Sequence, residues 1–163
     1  MRGQVLLFRG KHEAAASSAV AATQLDPNYA DAYGLLSWIL HYGGRPDLAQ
    51  QALLEALRRN PASSASYEEV AGEINFATGQ YDEAVSSFEE ALRRNPMHAR
   101  ARLWLAAPLV QVRRQDDAEW GLEELLATNP EFSLSRTLFA FPLKDPERLE
   151  ILHTTLQQLG SQE

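Results

Sequence analysis

Histidine and carboxylate side chains are the first candidates for chemistry in this 163-residue sequence, because they bind metals and transfer protons. The four histidines are His12, His41, His98 and His153. No two of them, and no histidine–acid pair, has the i, i+4 spacing that places two metal ligands on one helical face. His12 and Glu13 are adjacent, so their side chains do not share a face. We therefore expect each histidine to be a surface or groove residue rather than a metal ligand.

The usual catalytic signatures are also missing. The sequence has no GxxxxGK[ST] phosphate loop, no strand-linked GxGxxG and no GxSxG nucleophile turn. It has no cysteine, which excludes thiolate nucleophiles and zinc–thiolate sites. Three acidic pairs are expected to be solvated helix faces: Glu68-Glu69, Glu89-Glu90 and Glu123-Glu124. We predict a protein that is not an enzyme and binds no cofactor.

Composition and charge narrow the class further. The hydrophobic fraction is 45 % and alanine and leucine are abundant, which favours a packed helical protein. The formal net charge is −7, and an acidic protein repels phosphate backbones, so we expect no nucleic-acid ligand. No apolar run is long enough to cross a membrane. MRGQVLLFRG lacks a signal-peptide core and cleavage site, so we expect a cytoplasmic protein.

An 18-residue phrase recurs along the chain. GRPDLAQQALLEALRRNP occupies 44–61 and GQYDEAVSSFEEALRRNP occupies 79–96, with weaker copies at 10–27 and 113–130. The copies close at Pro27, Pro61, Pro96 and Pro130, so the period is 34, 35 and 34 residues. A fixed period of this length indicates stacked supersecondary units that bury their apolar faces against each other.

Aligned copies show which positions the packing needs. Two columns hold small residues in every copy, as expected where two helices approach closely. They are Ala15, Ala49, Ala84, Ala118 and Gly3, Ser37, Gly72, Ala106. Gly10, Gly44 and Gly79 are placed to end the first helix of a unit in a left-handed conformation, and each proline ends the second helix.

This pattern resembles the tetratricopeptide repeat. The best matching copies are Tyr33, Leu36, Leu40, Gly44, Ala49, Leu53, Ala56, Pro61 and Gly72, Gly79, Tyr81, Ala84, Phe88, Ala91, Pro96. The resemblance implies an all-α fold, a right-handed superhelical solenoid of helix–turn–helix units. We expect an array over 1–130, with a partial unit at 1–29 and units at 30–63, 64–98 and 99–130. Residues 131–163 would form a C-terminal helical cap.

Several features depart from a regular array. Met1 falls partway along the first helix of unit one, so the chain could be a fragment of a longer protein. One extra residue near 63–65 lengthens the turn between units two and three. Unit four has Arg113 where the other units have glycine, and Pro108 inside its first helix. Pro108 is expected to kink that helix or end it early, either as a tolerated defect of a terminal repeat or to redirect the groove wall.

The tail contains a clear helix signal. Asp145 is a predicted N-cap and Pro146 a predicted first helical residue. They precede a leucine stripe at Leu149, Leu152, Leu156 and Leu159. Such a helix can cover the last apolar face of an array. A short helix is also predicted at 133–140. We expect the tail to bury the indole of Trp120, although an exposed indole that meets a ligand is the alternative.

The tail also resembles a second family. Phe132-Ser133-Leu134 and Phe141-Pro142-Leu143-Lys144-Asp145-Pro146 match the C-terminal tetratricopeptide region of bacterial adenylate/guanylate cyclase-type proteins. The resemblance implies a regulatory or docking arm of such a protein. The cyclase domain itself is absent from these residues.

In tetratricopeptide proteins the ligand usually lies along a concave wall made by the first helices. Carried over by position, the resemblance implies groove residues Phe8, Tyr29, Asp31, Trp38, His41, Tyr42, Glu69, Glu73, Phe76 and Arg100. Chaperone-binding members place basic residues there to hold a carboxylate, and this ligand class is disfavoured because most of the matching positions here are not basic. Those positions are Gln4, Asp31, Gly34, Trp38, Ser66, Glu73 and Arg100. The wall is aromatic with acidic points, so we expect an apolar or basic segment. Alternatively, Trp38 and Phe76 only fill gaps between helices.

We therefore predict a non-enzymatic module that binds a peptide or protein segment in its concave groove. One alternative is the regulatory C-terminal arm of a larger bacterial protein, cyclase-like or transcription-regulator-like. The other is a scaffold that self-associates as a homo-oligomer through exposed array ends near 5–8.

Overall fold

Helices make up all the regular secondary structure in the described part of the chain. The computed structural model describes residues 2–62, 64–129 and 142–160, except the side chain of Arg2. The helices are α1 Arg2–Phe8, α2 His12–Leu25, α3 Ala30–Tyr42, α4 Pro46–Arg59, α5 Ala65–Ala77, α6 Tyr81–Arg94, α7 Ala99–Gln111, α8 Gln115–Thr128 and α9 Pro146–Gly160. α1 has seven residues, whereas α3, α5 and α7 have 13 each.

The helices stack as successive hairpins. α1 pairs with α2, α3 with α4, α5 with α6 and α7 with α8, and each second helix then packs on the first helix of the next unit. The first helices α1, α3, α5 and α7 also touch in order. This arrangement confirms the predicted all-α solenoid of helix–turn–helix units. Among the described helices, none is both long and apolar enough to span a bilayer.

Small residues lie where the sequence predicts close helix packing. Ala49 and Ala84 are fully buried. The Ser37 hydroxyl donates a 2.7 Å hydrogen bond to the Ala49 carbonyl, which joins α3 to α4. At Gly72 an added Cβ would lie 2.8 Å from the ring of Phe88. The fully buried Phe88 ring therefore requires a residue without a side chain on the facing helix.

The turns inside the units share one conformation. Gly10, Gly44 and Gly79 have φ of 70°, 75° and 78°, in the left-handed region that glycine adopts at little cost. Arg113 occupies the same place in unit four with φ of 63°. Unit four therefore keeps the turn but carries the strain of a side chain in it.

Helix α7 does not end early at Pro108. It continues to Gln111, and the Pro108 carbonyl accepts a 3.0 Å hydrogen bond from Val112 N–H. Because Pro108 lies in the last turn, it removes only the bond to the Trp104 carbonyl, and its ring is buried. Tertiary packing therefore outweighs the local helix-breaking tendency.

Five residues separate the end of α4 from the start of α5, whereas four separate α2 from α3 and α6 from α7. This agrees with the extra residue seen in the sequence. α4 packs on α5 over a smaller contact than α2 makes with α3 or α6 with α7. The array is therefore joined least tightly between units two and three.

Helix α9 begins as predicted. It starts at Pro146, and the Asp145 carboxylate accepts a 3.1 Å hydrogen bond from Arg148 N–H. Three leucines of the predicted stripe are buried against α7 and α8: Leu152, Leu156 and Leu159. The helix predicted at 133–140 lies outside the described residues.

Trp120 is not buried. Its side chain is 65 % exposed, so the expectation that the tail covers its indole is wrong. The buried face of α8 carries Ala118, Leu122 and Leu125, and a residue two positions from Ala118 points away from that face. The direction of the helix face, rather than the length of the tail, decides the exposure.

Candidate functional site

The concave face, defined as the shared surface of α1, α3, α5 and α7, brings most of the predicted groove residues together. A chain of rings runs along it from α1 to the end of α3. The ring centroids of Phe8 and Trp38 are 5.7 Å apart, and those of Trp38 and Tyr42 are 5.2 Å apart. His41 packs edge-on against Tyr42 at 5.3 Å.

A buried ionic cluster links α5 to α7 on this face. Arg100 Nε donates a hydrogen bond to Glu69 Oε1 and lies 3.6 Å from Glu73 Oε1. His98 Nε2 is 3.0 Å from the second oxygen of Glu69. Both carboxylates are almost wholly buried, so the expectation that Glu69 belongs to a solvated acidic pair is wrong. The guanidinium one unit away offsets the cost of burying that charge.

The pKa values of the two carboxyls in this cluster are shifted in opposite directions. Burial raises the pKa of Glu73 well above its ordinary value, and nearby Arg100 only partly opposes this. Burial also acts to raise the pKa of Glu69, but hydrogen bonds from His98 and Arg100 outweigh it and lower that pKa. Glu69 is therefore ionised and pairs with Arg100, whereas Glu73 remains protonated to a higher pH than an ordinary glutamate.

Two more titrating groups face Glu73 from α3. His41 Nε2 lies 3.4 Å from Glu73 Oε2, and the Tyr42 hydroxyl lies 3.5 Å from Glu73 Oε1. Burial, with a smaller contribution from Arg100, lowers the pKa of His41 to about 3. Burial and the Glu73 carboxylate raise the pKa of Tyr42. Both side chains are therefore neutral at neutral pH.

The N-terminal ends of α3 and α5 border an open cleft of about 430 Å³, which we call the open end of the concave face. Its lining includes Gln4, Asp31, Gly34, Trp38, Tyr67 and Arg100. Asp31 is exposed, whereas Trp38 is only 7 % exposed and shows the cleft little more than an edge. The Arg100 guanidinium lies over the Trp38 ring, 4.9 Å from its centroid, and forms part of the floor.

Gly34 and Tyr67 shape this cleft together. A Cβ at Gly34 would lie 2.6 Å from Tyr67 Cε1, so the ring packs where unit two has no side chain. The Tyr67 hydroxyl donates a 2.6 Å hydrogen bond to Asp31 Oδ1. Tyr67 is not among the groove residues predicted from the sequence. The available signal was Gly34, because a glycine at a wall position leaves space for a large residue of the next unit.

The opposite end of the same face, at the C-terminal ends of α3 and α5, is covered by the chain itself. We call it the closed end. Lys144 N–H donates a 2.9 Å hydrogen bond to the Tyr42 carbonyl. The Arg148 guanidinium donates to the Ala77 carbonyl at 3.2 Å and lies 5.9 Å from the Phe76 ring centroid. The tail therefore lies between solvent and the C-terminal ends of α3 and α5.

The predicted groove residues thus divide by accessibility. Six are buried and present almost no surface: Trp38, His41, Tyr42, Glu69, Glu73 and Phe76. Phe8 and Tyr29 are 55 % and 54 % exposed, and Asp31 is exposed. The Arg100 side chain is 29 % exposed. Within the described ranges, no group of three or more histidine and acidic side chains is arranged to hold a metal ion.

A family model described as "Tetratricopeptide repeat" matches residues 1–64 and 70–133. The chain belongs to the tetratricopeptide repeat family. Proteins of this family generally are non-enzymatic modules for protein interaction, and membership supports that role here. Among curated proteins, none matches the sequence.

Solved tetratricopeptide structures share the fold. PilF of Pseudomonas aeruginosa superimposes with a TM-score of 0.71 at 25 % identity, over 98 % of this chain and 72 % of that one. A thermophilic tetratricopeptide protein of Thermus thermophilus gives 0.68 at 19 % identity, over 95 % of each chain. YrrB, described as having an unusual peptide-binding site, gives 0.63 at 17 % identity, over 98 % and 81 %.

Proposed function

We propose that this protein is a non-enzymatic interaction module that binds a basic or apolar segment of a partner protein in the open end of its concave face. The observation that carries the proposal is the cleft itself, which collects side chains from several successive units on the face that the repeats share. In this proposal the site needs no cofactor, and the module acts on proteins rather than nucleic acids in the cytoplasm.

The charges of the cleft favour a basic segment. Asp31 is exposed at the rim, and Tyr67 engages one of its two carboxylate oxygens. The other oxygen is available to a lysine or arginine of a ligand. Arg100 on the floor already pairs with Glu69, so it adds little positive potential.

The rest of the cleft favours apolar side chains next to that basic residue. Leu35 and Val70 line it together with the edge of Trp38. Apolar walls with few oriented polar groups are typical of ligand sites. YrrB, which shares the fold, is described as having an unusual peptide-binding site, and this likeness supports the proposal.

A peptide-display selection on the folded protein tests the proposal. We expect enriched peptides that combine a lysine or arginine with apolar residues. Their affinity, measured by fluorescence anisotropy, should fall at least about tenfold in an Asp31→Arg variant, because the charge at the rim is reversed. Asp47→Arg is the matched control, since Asp47 is an exposed acid in the first turn of α4 and does not line the cleft.

Tyr67→Phe is the second control, because it removes the hydrogen bond to Asp31 and keeps the carboxylate. It should retain most of the affinity. Enrichment of acidic peptides, or equal losses in Asp31→Arg and Asp47→Arg, would contradict a basic ligand in this cleft.

Self-association is a second candidate, favoured by the exposed apolar surface of α1. Val5 is 52 % exposed and Phe8 55 % exposed on the first helix of the array. A second copy could cover them. Sedimentation velocity over a concentration series tests this. A dimer that forms with rising concentration and is abolished by Val5→Glu would support self-association. A constant monomer mass would contradict it.

A further inference from the structure

Residues 142–149, the tail arm, occupy the closed end of the concave face. We propose that the tail arm is a displaceable occupant, and that the closed end receives an arginine- or lysine-bearing segment of the partner when the arm lifts. This inference rests on the proposed function, because it extends the open cleft into a longer site for the same partner.

The contacts of the arm define what the closed end can bind. Lys144 donates its backbone N–H to the Tyr42 carbonyl, a bond that any extended segment can make. Arg148 donates from Nε to the Ala77 carbonyl and from Nη1 to the Tyr81 hydroxyl at 3.3 Å. Its guanidinium also lies near the Phe76 ring. Two neutral oxygens and a ring face suit a guanidinium or ammonium group from any chain.

The arm is held more weakly than the helix that follows it. Leu152 and Leu156 are at most 1 % exposed, and they fix the centre of α9 on its neighbours. In the arm Leu143 is buried, but Lys144 is exposed and Arg148 is half-buried, so the arm has one buried side chain where α9 has several. Within the described residues Arg148 forms no ion pair. The arm can therefore detach at the first turn of α9 while the rest of α9 remains packed on its neighbours.

The closed and open ends are continuous. Trp38 lines the open cleft and packs on Tyr42, whose carbonyl holds the arm. Removal of the arm would uncover the ends of α3 and α5 next to Trp38. One extended segment could then cross the whole concave face.

The tether makes the arm a strong competitor despite its weak contacts. A segment joined to its site by a short linker acts at an effective concentration in the millimolar range. A free segment that matches only the closed end therefore competes poorly. A partner that also binds the open cleft gains the additional contacts needed to displace the arm.

The test uses the full chain and a labelled peptide that copies residues 142–152, PLKDPERLEIL. We expect weak binding to the wild type and binding about tenfold tighter to Arg148→Ala, in which the competing arm has lost its guanidinium contacts. Glu147→Ala is the matched control, since Glu147 is an exposed neighbour in the same arm, and it should bind the peptide as the wild type does. The same peptide with alanine in place of its arginine should bind neither protein.

Equal peptide affinity for the wild type and Arg148→Ala would overturn the inference. Equal gains in Glu147→Ala, or undiminished binding of the alanine-containing peptide, would also overturn it. Hydrogen exchange gives a second readout without any peptide. The amide of Lys144 should exchange faster in Arg148→Ala, while the amides of Leu152 and Leu156 should not change. An unchanged Lys144 amide would show that Arg148 does not hold the arm.

These outcomes are separate from those of the proposed function. The tail peptide does not require Asp31, so its binding reports only on the closed end. Loss of all selected peptides would remove the function proposed for the open cleft. If the tail peptide does not bind but the selected peptides still do, only the proposal of a displaceable arm is contradicted.

Discussion

The two ends of the concave face are formed by the same helices, yet one is open and the other is closed. At the open end, Asp31 is exposed and a single hydrogen bond joins it to Tyr67. At the closed end, Tyr42 and Phe76 have no exposed surface, and Arg148 of the tail lies beside them. The helix frame therefore does not decide where a ligand can enter.

Individual side chains at equivalent wall positions make the difference. Unit two has Gly34 where unit three has Glu69 and unit four has Leu103. The missing side chain leaves the space that Tyr67 and the cleft share. At the other end, His41 and Phe76 fill the corresponding wall positions. A repeat array can thus use one end of a face for packing and leave the other end for binding.

The largest expected change in stability separates a side chain that packs at the closed end from one that is exposed near the open end. Phe76 is fully buried, with ring centroids 5.8 Å from Tyr81 and 6.1 Å from Trp104. Phe76→Ala should lower the free energy of unfolding by about 3–5 kcal/mol in urea titrations, because it leaves a cavity. Tyr29→Ala, at an exposed position near the open end, should change it by less than about 0.5 kcal/mol. Similar losses for the two variants would erase the distinction between the ends.

The pH dependence of stability tests the buried cluster. Because burial raises the pKa of Glu73 above 4.5, the folded protein keeps a proton that the unfolded chain releases. The contribution of Glu73 to the stability should therefore fall as pH rises from 4.5 towards the raised pKa, while the lowered pKa of His41 acts in the opposite direction in both the wild type and Glu73→Gln. Glu73→Gln cannot titrate, so its stability relative to the wild type should increase by up to ~1.4 kcal/mol per pH unit over that interval.

Urea unfolding of both proteins between pH 4.5 and 8 gives this difference. Glu69→Gln is the matched comparison. It should be destabilised above pH 4.5, because Arg100 and His98 lose the carboxylate whose pKa they lower. Parallel pH profiles for the wild type and Glu73→Gln would show that Glu73 ionises alike in the folded and unfolded chains.

The smallest effect concerns the turns that follow the first helices at the closed end. Arg113 adopts a left-handed conformation that glycine adopts in the other units. Arg113→Gly should raise the free energy of unfolding by about 0.5–1 kcal/mol, since the strain of the side chain is removed. Gly79→Arg, the reverse change one unit earlier, should lower it by about 1 kcal/mol. A loss of stability in Arg113→Gly would show that the arginine side chain has a stabilising contact.

Local rules explain how much of the fold could be predicted from the sequence. The turn glycines, the alanine columns and the prolines at 27, 61 and 96 each act within one unit or between adjacent helices, and each occupies its predicted place. The N-cap of α9 was equally clear, because Asp145 and Pro146 specify a helix start by themselves. These signals need no knowledge of distant residues.

Burial on the concave face could not be predicted in the same way. Glu69 looks like half of a solvated acidic pair until Arg100 of the next unit is placed against it. Trp120 looks like a core residue until the direction of its helix face is known. Closure by the tail depends on Lys144 meeting Tyr42 across most of the chain. Such encounters are set by the assembled array rather than by any one repeat.

The tail arm also changes how the array should come apart. In a linear array each unit touches only its neighbours, so unfolding begins at either end and spreads inward. Here the Lys144–Tyr42 bond ties the last helix to unit two, across the least tightly packed junction between α4 and α5. While the arm is docked, unfolding of the C-terminal units also breaks its contacts with unit two, so we expect fraying to start from the seven-residue α1, to which the described residues of the arm make no such connection.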